Sequence, residues 1–189
     1  WQPGELTGKY TMKTFYMNSS TPADESRADL SNRLCLPYKV FRELQDYAKN
    51  KDILFLSTPD GFKSLDFLSD DLKIPYIKVG SSELNHLKFL EAVGKKKKPI
   101  FLSTGLGTIE EVEKAINTIQ KVNNVAEIVI LQCTSEYPAP DIDMNIRALE
   151  SMNDKFGLPS GLSDHSLGIE AGIAAVAFGA CGIEKHFTL

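Results

Sequence analysis

Short apolar runs alternate with longer amphipathic stretches along most of the chain. Runs of four or five mainly apolar residues, bounded by turn residues, predict buried strands because they are too short for helices. Between them, apolar residues recur at steps of three and four, as at Val40, Phe41, Leu44 and Tyr47, and this spacing predicts helices. The six predicted strands are 53–56, 76–79, 99–102, 127–131, 158–162 and 179–183.

The predicted strands recur at intervals of roughly 25 residues, which is the period of a strand–helix unit and implies parallel pairing. A capping box from Thr108 to Glu111 begins a helix that is predicted to run to about Val122. Residues 1–36 lack sustained apolar periodicity and are predicted to be an irregular excursion, whereas 37–189 hold the repeats. We therefore predict one domain over residues 1–189.

Every predicted strand ends in hydroxyl, carboxylate or imidazole side chains. A doubly wound sheet would share the alternation of elements, but an α/β barrel builds its active site from all of its strand ends, so we predict a (β/α)8 TIM barrel. Six units do not complete eight, and residues 1–34 contain no readable strand. The expectation is an incomplete barrel without its first two strands, in a chain that begins without Met as a fragment would.

Two of the three histidines, His165 and His186, follow the last two predicted strands. If these strands are parallel neighbours, both imidazoles emerge at the same rim and can hold one divalent metal. Glu184 would share a face with His186 and could orient its ring. The alternative is that the histidines are ordinary polar residues at strand ends, since the pair lacks the spacing of a zinc signature.

Lys78 interrupts an apolar strand, where an unpaired ammonium is costly. We therefore predict that it points into the barrel and binds an anion, the alternative being that it reaches outward between helices. Donors together with a lysine suit a phosphate and a carboxylate, and a metal beside them suits a polarised carbonyl. The other strand-end candidates are Thr58, Ser81, Glu83, Thr104, Ser135 and Ser163.

Composition narrows the classes of partner. The net charge of −4 argues against a general nucleic-acid binder, and no stretch approaches the roughly 18 consecutive apolar residues of a membrane span. Three cysteines without metal-like spacing suit a reducing compartment, so a cytoplasmic protein is expected. Cys133 and Cys181 lie in apolar runs and are predicted to be core residues.

Six segments resemble, in order and spacing, the sialic acid synthase family, and the likeness runs from about Phe41 to Leu189. The segments are 55–59, 78–83, 99–105, 132–138, 163–165 and 184–188. The resemblance implies an enzyme that condenses phosphoenolpyruvate with an open-chain N-acetylated hexosamine in a metal-dependent reaction. The sugar would be N-acetylmannosamine or a 6-deoxy diacetamido sugar, and the products a nine-carbon keto sugar acid and phosphate.

The resemblance also implies roles for single residues. Family residues that match His165 and His186 hold Mn²⁺ or Mg²⁺, the one that matches Glu83 is the catalytic carboxylate beside the sugar, and the one that matches Tyr137 contacts the sugar. Some members carry Asn in place of Ser135. The residues whose counterparts bind phosphoenolpyruvate are Thr58, Lys78, Ser81, Ser135 and Ser163.

Family members begin with two further strands and commonly end in a small antifreeze-like domain, whose arginine reaches the site of a partner subunit. The resemblance therefore implies a homodimer for the full-length protein, and neither segment is readable in this chain. One alternative is another phosphoenolpyruvate-condensing barrel, which we disfavour because none of the four arginines stands at a strand end. The other is a non-catalytic sugar-binding barrel, which would need no metal.

Overall fold

The structure, a computed structural model, describes residues 21–22 and 24–186. The chain separates into two units, Trp1–Ile74 and Pro75–Leu189. Three parts of the sequence interpretation lie outside the described residues. These are the predicted excursion up to residue 20, residue 23 within that excursion, and positions 187–188 of the last family-like segment.

Helices dominate the described part of the first unit. They are α1 (Arg27–Leu34), α2 (Tyr38–Asn50) and α3 (Phe62–Asp66), and α3 continues as a π-helical turn over Phe67–Asp71. The helices predicted from residue 37 and from Phe62 are thus confirmed. Apolar side chains of the π-helical turn and its continuation, Phe67, Leu68, Leu72 and Ile74, form a cluster against Tyr38, Phe41 and Phe55.

Helix α1 corrects the prediction that residues 1–36 are irregular throughout. Its first turn is capped by Ser26, whose Oγ accepts a hydrogen bond from the Asp29 backbone N–H at 3.1 Å. Arg33 in its last turn pairs with Glu25 at 2.7 Å. Because the cap and the ion pair are local polar contacts, and only Leu30 and Ser31 are buried, α1 leaves no apolar periodicity to detect.

The predicted strand 53–56 is also wrong. This segment is irregular, and its first two side chains, Ile53 and Leu54, are 64% and 59% exposed. The Ile53 N–H donates to Ala48 O at 2.9 Å, at the end of α2. A strand exists only with a hydrogen-bonded neighbour, and none of the strands in the described residues pairs with this run.

The second unit repeats strand and helix. Its five strands form one parallel sheet in chain order, β1-β2-β3-β4-β5, which confirms the predicted parallel pairing for five of the six expected strands. Short 3-10 turns occur at Ser81–Glu83 and Asp141–Asp143. The elements are β1 (Ile77–Val79), α4 (Leu87–Lys95), β2 (Ile100–Ser103), α5 (Ile109–Val122), β3 (Ile128–Cys133), α6 (Ala148–Phe156), β4 (Ser160–Asp164), α7 (Glu170–Ala177) and β5 (Ile183–Lys185).

The boundaries of these elements have local causes. The predicted capping box begins α5, with both Thr108–Glu111 hydrogen bonds present. Strand β5 begins at Ile183 and not at 179, because Gly179 lies at φ +84° in the turn after α7. Cys181 lies in the same connection and is exposed, so its prediction as a core residue is wrong, whereas Cys133 on β3 is buried as predicted.

The helix-facing side of the sheet is an apolar layer. Leu162 on β4, for example, packs with Leu149 of α6 and Ala175 of α7. Successive residues of a strand point to opposite faces, and the strand register places the helix-facing positions of neighbouring strands side by side. The fully buried members of this layer are Ile77, Val79, Leu102, Ile130 and Leu162. In the described ranges, 21–22 and 24–186, no helix is both long and apolar enough to cross a bilayer.

The other side of the sheet is concave. Lys78 Nζ on β1 lies 3.6 Å from Glu184 Oε1 on β5, although β2, β3 and β4 stand between these two strands. In a flat sheet, four strand spacings of about 4.8 Å would hold them roughly 19 Å apart. The sheet is therefore curled into a half-barrel, and side chains from both edges meet on its concave side.

Candidate active site

Lys78 lies at the centre of the polar contacts on the concave side. Its Nζ donates to Ser103 Oγ at 2.8 Å and to Val79 O at 3.3 Å, and it lies 3.6 Å from Glu184. The side chain is 12% exposed. The ammonium therefore points to the concave side and not outward between the helices.

Ser103, the partner of Lys78, was not predicted from the sequence, which instead offered the adjacent Thr104. The Thr104 hydroxyl donates to Leu131 O at 3.2 Å and so satisfies a backbone group. Lys78 is paired in register with Phe101, and Ser103, two residues further along β2, shares the face of Lys78. The alternation of side chains along neighbouring strands, counted from Lys78, is the signal that could have identified Ser103.

Glu184 connects three strands. Its Oε1 accepts a hydrogen bond from Ser163 Oγ on β4 at 2.5 Å and also lies near Lys78 on β1. These partners differ from the expectation that Glu184 orients the ring of His186. The difference arises from the curl of the sheet, which brings a basic side chain from the far edge within reach of the carboxylate.

His165 is oriented by the backbone. Its Nδ1 donates to Thr134 O at 2.7 Å, which leaves Nε2 as the nitrogen with a lone pair, 3.4 Å from Ser163 Oγ. Burial lowers the pKa of His165, the bond to Thr134 opposes that shift, and the nearby His186 adds to it. A neutral imidazole with an available Nε2 is the form that binds a metal.

Three rings cluster at this end of the sheet. The ring centroids of His165 and His186 are 5.3 Å apart, and Tyr137 lies 4.0 Å from His165 and 5.3 Å from His186. Within the described part of the chain, no three His, Cys, Asp or Glu side chains are grouped to hold a metal. The two imidazoles are close enough together to hold a cation between them.

Cys133 is the nearest thiol to His165. Its Sγ lies 4.0 Å from His165 Nδ1, and the side chain is buried. Burial raises the pKa of the Cys133 thiol, with hydrogen bonding from Ser163 and the charge of Lys78 acting in the opposite direction. A protonated thiol is a poor nucleophile, in agreement with its interpretation as a small packing residue.

Gly105 brings two of the predicted ligand residues together. It follows β2 at φ +52°, and a methyl group there would lie 2.7 Å from Ser81 Oγ and 2.9 Å from Ser135 Oγ. Only a residue without a side chain allows both hydroxyls to approach this backbone. The ends of β1, β2 and β3 thus form a small hydroxyl-lined cradle, made of Ser81, Gly105 and Ser135, whose glycine was not singled out from the sequence.

Glu83 makes a separate contact after β1. Glu83 is buried in the 3-10 turn after β1, and its Oε2 lies 2.9 Å from His86 Nδ1. His86, the third histidine, was not assigned a role from the sequence, although its position three residues after Glu83 permits this contact. Thr58 lies in an irregular segment of the first unit.

The chain was compared with known proteins. A model of the NeuB family matches residues 1–189. The chain is 42% identical over 178 residues to the N,N'-diacetyllegionaminic acid synthase of Campylobacter jejuni, a match that covers 94% of this chain and 53% of that protein. It is 35% identical over 192 residues to the N-acetylneuraminate-9-phosphate synthase of Homo sapiens, covering 100% of this chain and 53% of that protein.

A solved structure with the same fold is the N-acetylneuraminic acid synthetase of Leptospira borgpetersenii. The TM-score is 0.82 at 31% sequence identity, and the match covers 90% of this chain and 59% of that chain. The chain spans about half the length of the curated relatives it matches.

Proposed function

The chain belongs to the NeuB family, as its resemblance to sialic acid synthases predicted, and from that premise we propose that it is part of a nonulosonic acid synthase. The reaction joins the methylene carbon of phosphoenolpyruvate to the aldehyde carbon of an open-chain N-acetylhexosamine. Water adds to the carbon that carries the phosphate, and phosphate leaves. The observation that carries this proposal is the convergence of Lys78, Ser163, His165 and His186 on one concave face.

We propose that His165 and His186 hold one Mn²⁺ or Mg²⁺ ion. The Nε2 of His165 and the adjacent ring of His186 support this assignment. A site completed by water and substrate oxygens would suit Mn²⁺ or Mg²⁺, whereas zinc prefers a closed tetrahedral site. When bound, the cation supplies a Lewis acid for the sugar aldehyde. The backbone bond to Thr134 fixes the tautomer of His165, so that Nε2 would be the nitrogen that binds the cation.

Phosphoenolpyruvate would bind beside this pair. Lys78 supplies a positive charge and Ser163 a hydroxyl, and both already contact Glu184 across the concave face. Charge-assisted bonds of this kind are roughly twice as strong as neutral ones. The hydroxyls of Ser81 and Ser135 at Gly105 would receive the second anionic group of the substrate, and Thr58 is assigned to the same substrate by family resemblance alone.

Glu83 and Tyr137 are assigned to the sugar side. Tyr137 packs against His165, so a sugar aldehyde near the metal position would lie beside the phenol. Glu83 is buried and bonded to His86, which would hold its carboxylate in one orientation. In that position Glu83 would relay a proton or stabilise the cationic carbon formed after the new bond.

The complete protein is proposed to form a closed (β/α)8 barrel. Each edge strand of the described sheet, β1 and β5, has a strand neighbour on one side, and all-parallel sheets normally bury both faces. Helix α7 carries an apolar stripe that a further strand–helix unit would cover. Its members are Ile169, Ile173 and Val176, which are 65%, 63% and 60% exposed. Residues 1–189 would thus be part of one catalytic domain of a cytoplasmic homodimer.

Phosphate release by the full-length protein tests the function. With phosphoenolpyruvate and N-acetylmannosamine, or a 6-deoxy diacetamido hexose, we expect release that requires both substrates, stops on chelation and returns with Mn²⁺. The diacetamido sugar is included because the chain is similar to an N,N'-diacetyllegionaminic acid synthase. Release with a sugar phosphate that lacks an N-acetyl group, and none with the N-acetylated sugars, would support the other class of phosphoenolpyruvate-condensing barrel. Sugar binding without any phosphate release would support a non-catalytic barrel.

A further inference from the structure

A second set of polar side chains lies on the helix-facing side of the sheet, directly behind the candidate active site. Asp164 on β4 is paired in register with Lys185 on β5, and each is flanked by residues of the concave side. Strand alternation sends the flanking residues to one face and this pair to the other. A methyl group at Gly172 of α7 would lie 3.9 Å from Asp164 Oδ2, which locates the carboxylate on the helix side.

Asp164, Ser166 and Lys185 form a closed network. Asp164 Oδ2 accepts a hydrogen bond from Lys185 Nζ at 2.7 Å, and Asp164 Oδ1 accepts from Ser166 N at 2.8 Å and from Ser166 Oγ at 2.6 Å. Lys185 Nζ also donates to Ser166 O at 2.9 Å. The network therefore joins the residues on both sides of His165 to the residue that precedes His186.

Stability alone does not account for an ion pair between the buried Asp164 and the partly buried Lys185 at this place. Asp164 is fully buried, whereas Leu162, on the same face of the same strand, packs against apolar side chains. Replacing a buried ion pair with well-packed apolar residues is often neutral or stabilising. The charged network instead supplies directional hydrogen bonds, and each of them fixes the position of a backbone group or a side chain.

We propose that Asp164 and Lys185 are positioning residues that set the spacing of the two imidazoles from the opposite face of the sheet. Their bonds hold the backbone of residues 164–166 against that of 185–186. The rings of His165 and His186 leave the same two backbone segments toward the concave side, with centroids 5.3 Å apart. A shift between the segments would change the distance between the two ring nitrogens that face the metal position.

The inference rests on the proposed metal site, so the test measures metal binding in the full-length protein by titration calorimetry with Mn²⁺. Lys185→Met keeps the length of the side chain and removes the charge. We expect its dissociation constant for Mn²⁺ to rise about 10- to 100-fold, as for loss of other partners that orient metal ligands. The visible spectrum of bound Co²⁺ should change as well, because it reports the geometry of the ligands. Lys95→Met is the control, since it removes an ion pair of the same 2.7 Å length, to Glu91, on the surface of α4.

The double variant Asp164→Asn/Lys185→Met separates positioning from stability. It removes both charges while the Asn oxygen still accepts from Ser166, so the melting temperature should return toward that of the wild type. The Mn²⁺ dissociation constant should stay at least about tenfold raised. If the unpaired Asp164 prevents the Lys185→Met variant from folding, Mn²⁺ binding can still be measured in this double variant.

Two results would overturn the inference. Wild-type Mn²⁺ affinity in the double variant, or in a folded Lys185→Met, would mean that the pair is structural only. Absence of Mn²⁺ binding by the wild-type protein would remove the proposed metal site, and the positioning role with it. The wild-type titration therefore distinguishes failure of the proposed function from failure of the positioning role alone.

Discussion

The two faces of the curled sheet differ in nearly every physical respect. On the helix side, Leu102 and Ile130 are fully buried in an apolar layer. On the concave side, Lys78 is partly buried and Glu184 is exposed, and the two form a polar contact that crosses from one edge of the sheet to the other. One face supplies the burial that stabilises the unit, and the other holds the side chains proposed for chemistry.

Because side chains alternate along a strand, one stretch of sequence supplies residues to both faces. Val79 and Lys78 are neighbours in β1, yet the first is fully buried and the second bonds Ser103. The lesson is that stability and activity should separate cleanly when the two faces are altered one at a time. The Asp164–Lys185 pair departs from this division, because it is an ion pair on the apolar side.

The largest effect should follow removal of an imidazole from the concave face. His186→Ala in the full-length protein should lower turnover by more than the roughly 100-fold expected for loss of a partner that only orients a metal ligand. The melting temperature should change by less than about 4 °C, the shift that roughly 1 kcal/mol produces, because His186 is exposed and adds little to the apolar layer. Steady-state kinetics and thermal unfolding check both parts. A loss of turnover accompanied by a large fall in melting temperature would contradict the division between a face for activity and a face for stability.

The opposite pattern is expected on the helix side. Leu102→Ala should destabilise the protein by about 2–5 kcal/mol, the usual cost of a cavity in a packed core. Urea unfolding measures this cost, and the KM for phosphoenolpyruvate of the folded fraction should not change. Leu106→Ala is the control, because this leucine is 89% exposed and its loss should change the unfolding free energy by no more than about 0.5 kcal/mol.

Lys78→Met should separate the two substrates. Loss of a charged hydrogen-bond donor removes about 1.5–3 kcal/mol, so the KM for phosphoenolpyruvate should rise roughly 10- to 100-fold, with little change in the KM for the sugar. Equal increases in both constants would remove Lys78 from the phosphoenolpyruvate site. Lys155→Met is the matched control, since it loses an ion pair of the same 3.6 Å length, to Glu113, on the helix surface.

The smallest effect is expected from two glycine variants, which distinguish backbone strain from a loss of substrate binding. Gly105→Ala and Gly157→Ala both place a methyl group at a positive φ, +52° and +62°, so both should incur about 1 kcal/mol of backbone strain. Only the methyl group at Gly105 would meet Ser81 and Ser135, whereas nothing lies within 4 Å of the position at Gly157. Phosphoenolpyruvate affinity should therefore fall severalfold in the first variant and stay unchanged in the second, as binding titrations can determine. Similar affinities in both variants would exclude the hydroxyl-lined cradle from substrate binding.

Local signals in the sequence predicted most of the second unit. The apolar runs and helical spacing identified β1 to β4 and the connecting helices, the predicted last strand overlapped β5 only at Ile183, and the capping box located the start of α5. They failed where the outcome depends on a distant partner or on a short polar contact. Residues 53–56 have an apolar pattern but no strand neighbour in the described chain, and α1 is held by Ser26 and Glu25 with little apolar burial.

The sequence by itself determined which residues stand at the strand ends, because a period of two and the order of elements follow from local composition. It therefore named Ser163, His165 and His186 at strand ends, and Lys78 within an apolar strand, before any contact was known. Only the tertiary structure decided their partners. The approach of Lys78 to Glu184 requires the curl of five strands, and the pairing of Asp164 with Lys185 requires the register of two. Curl and register arise from contacts between residues far apart in the chain, and a local pattern carries no information about them.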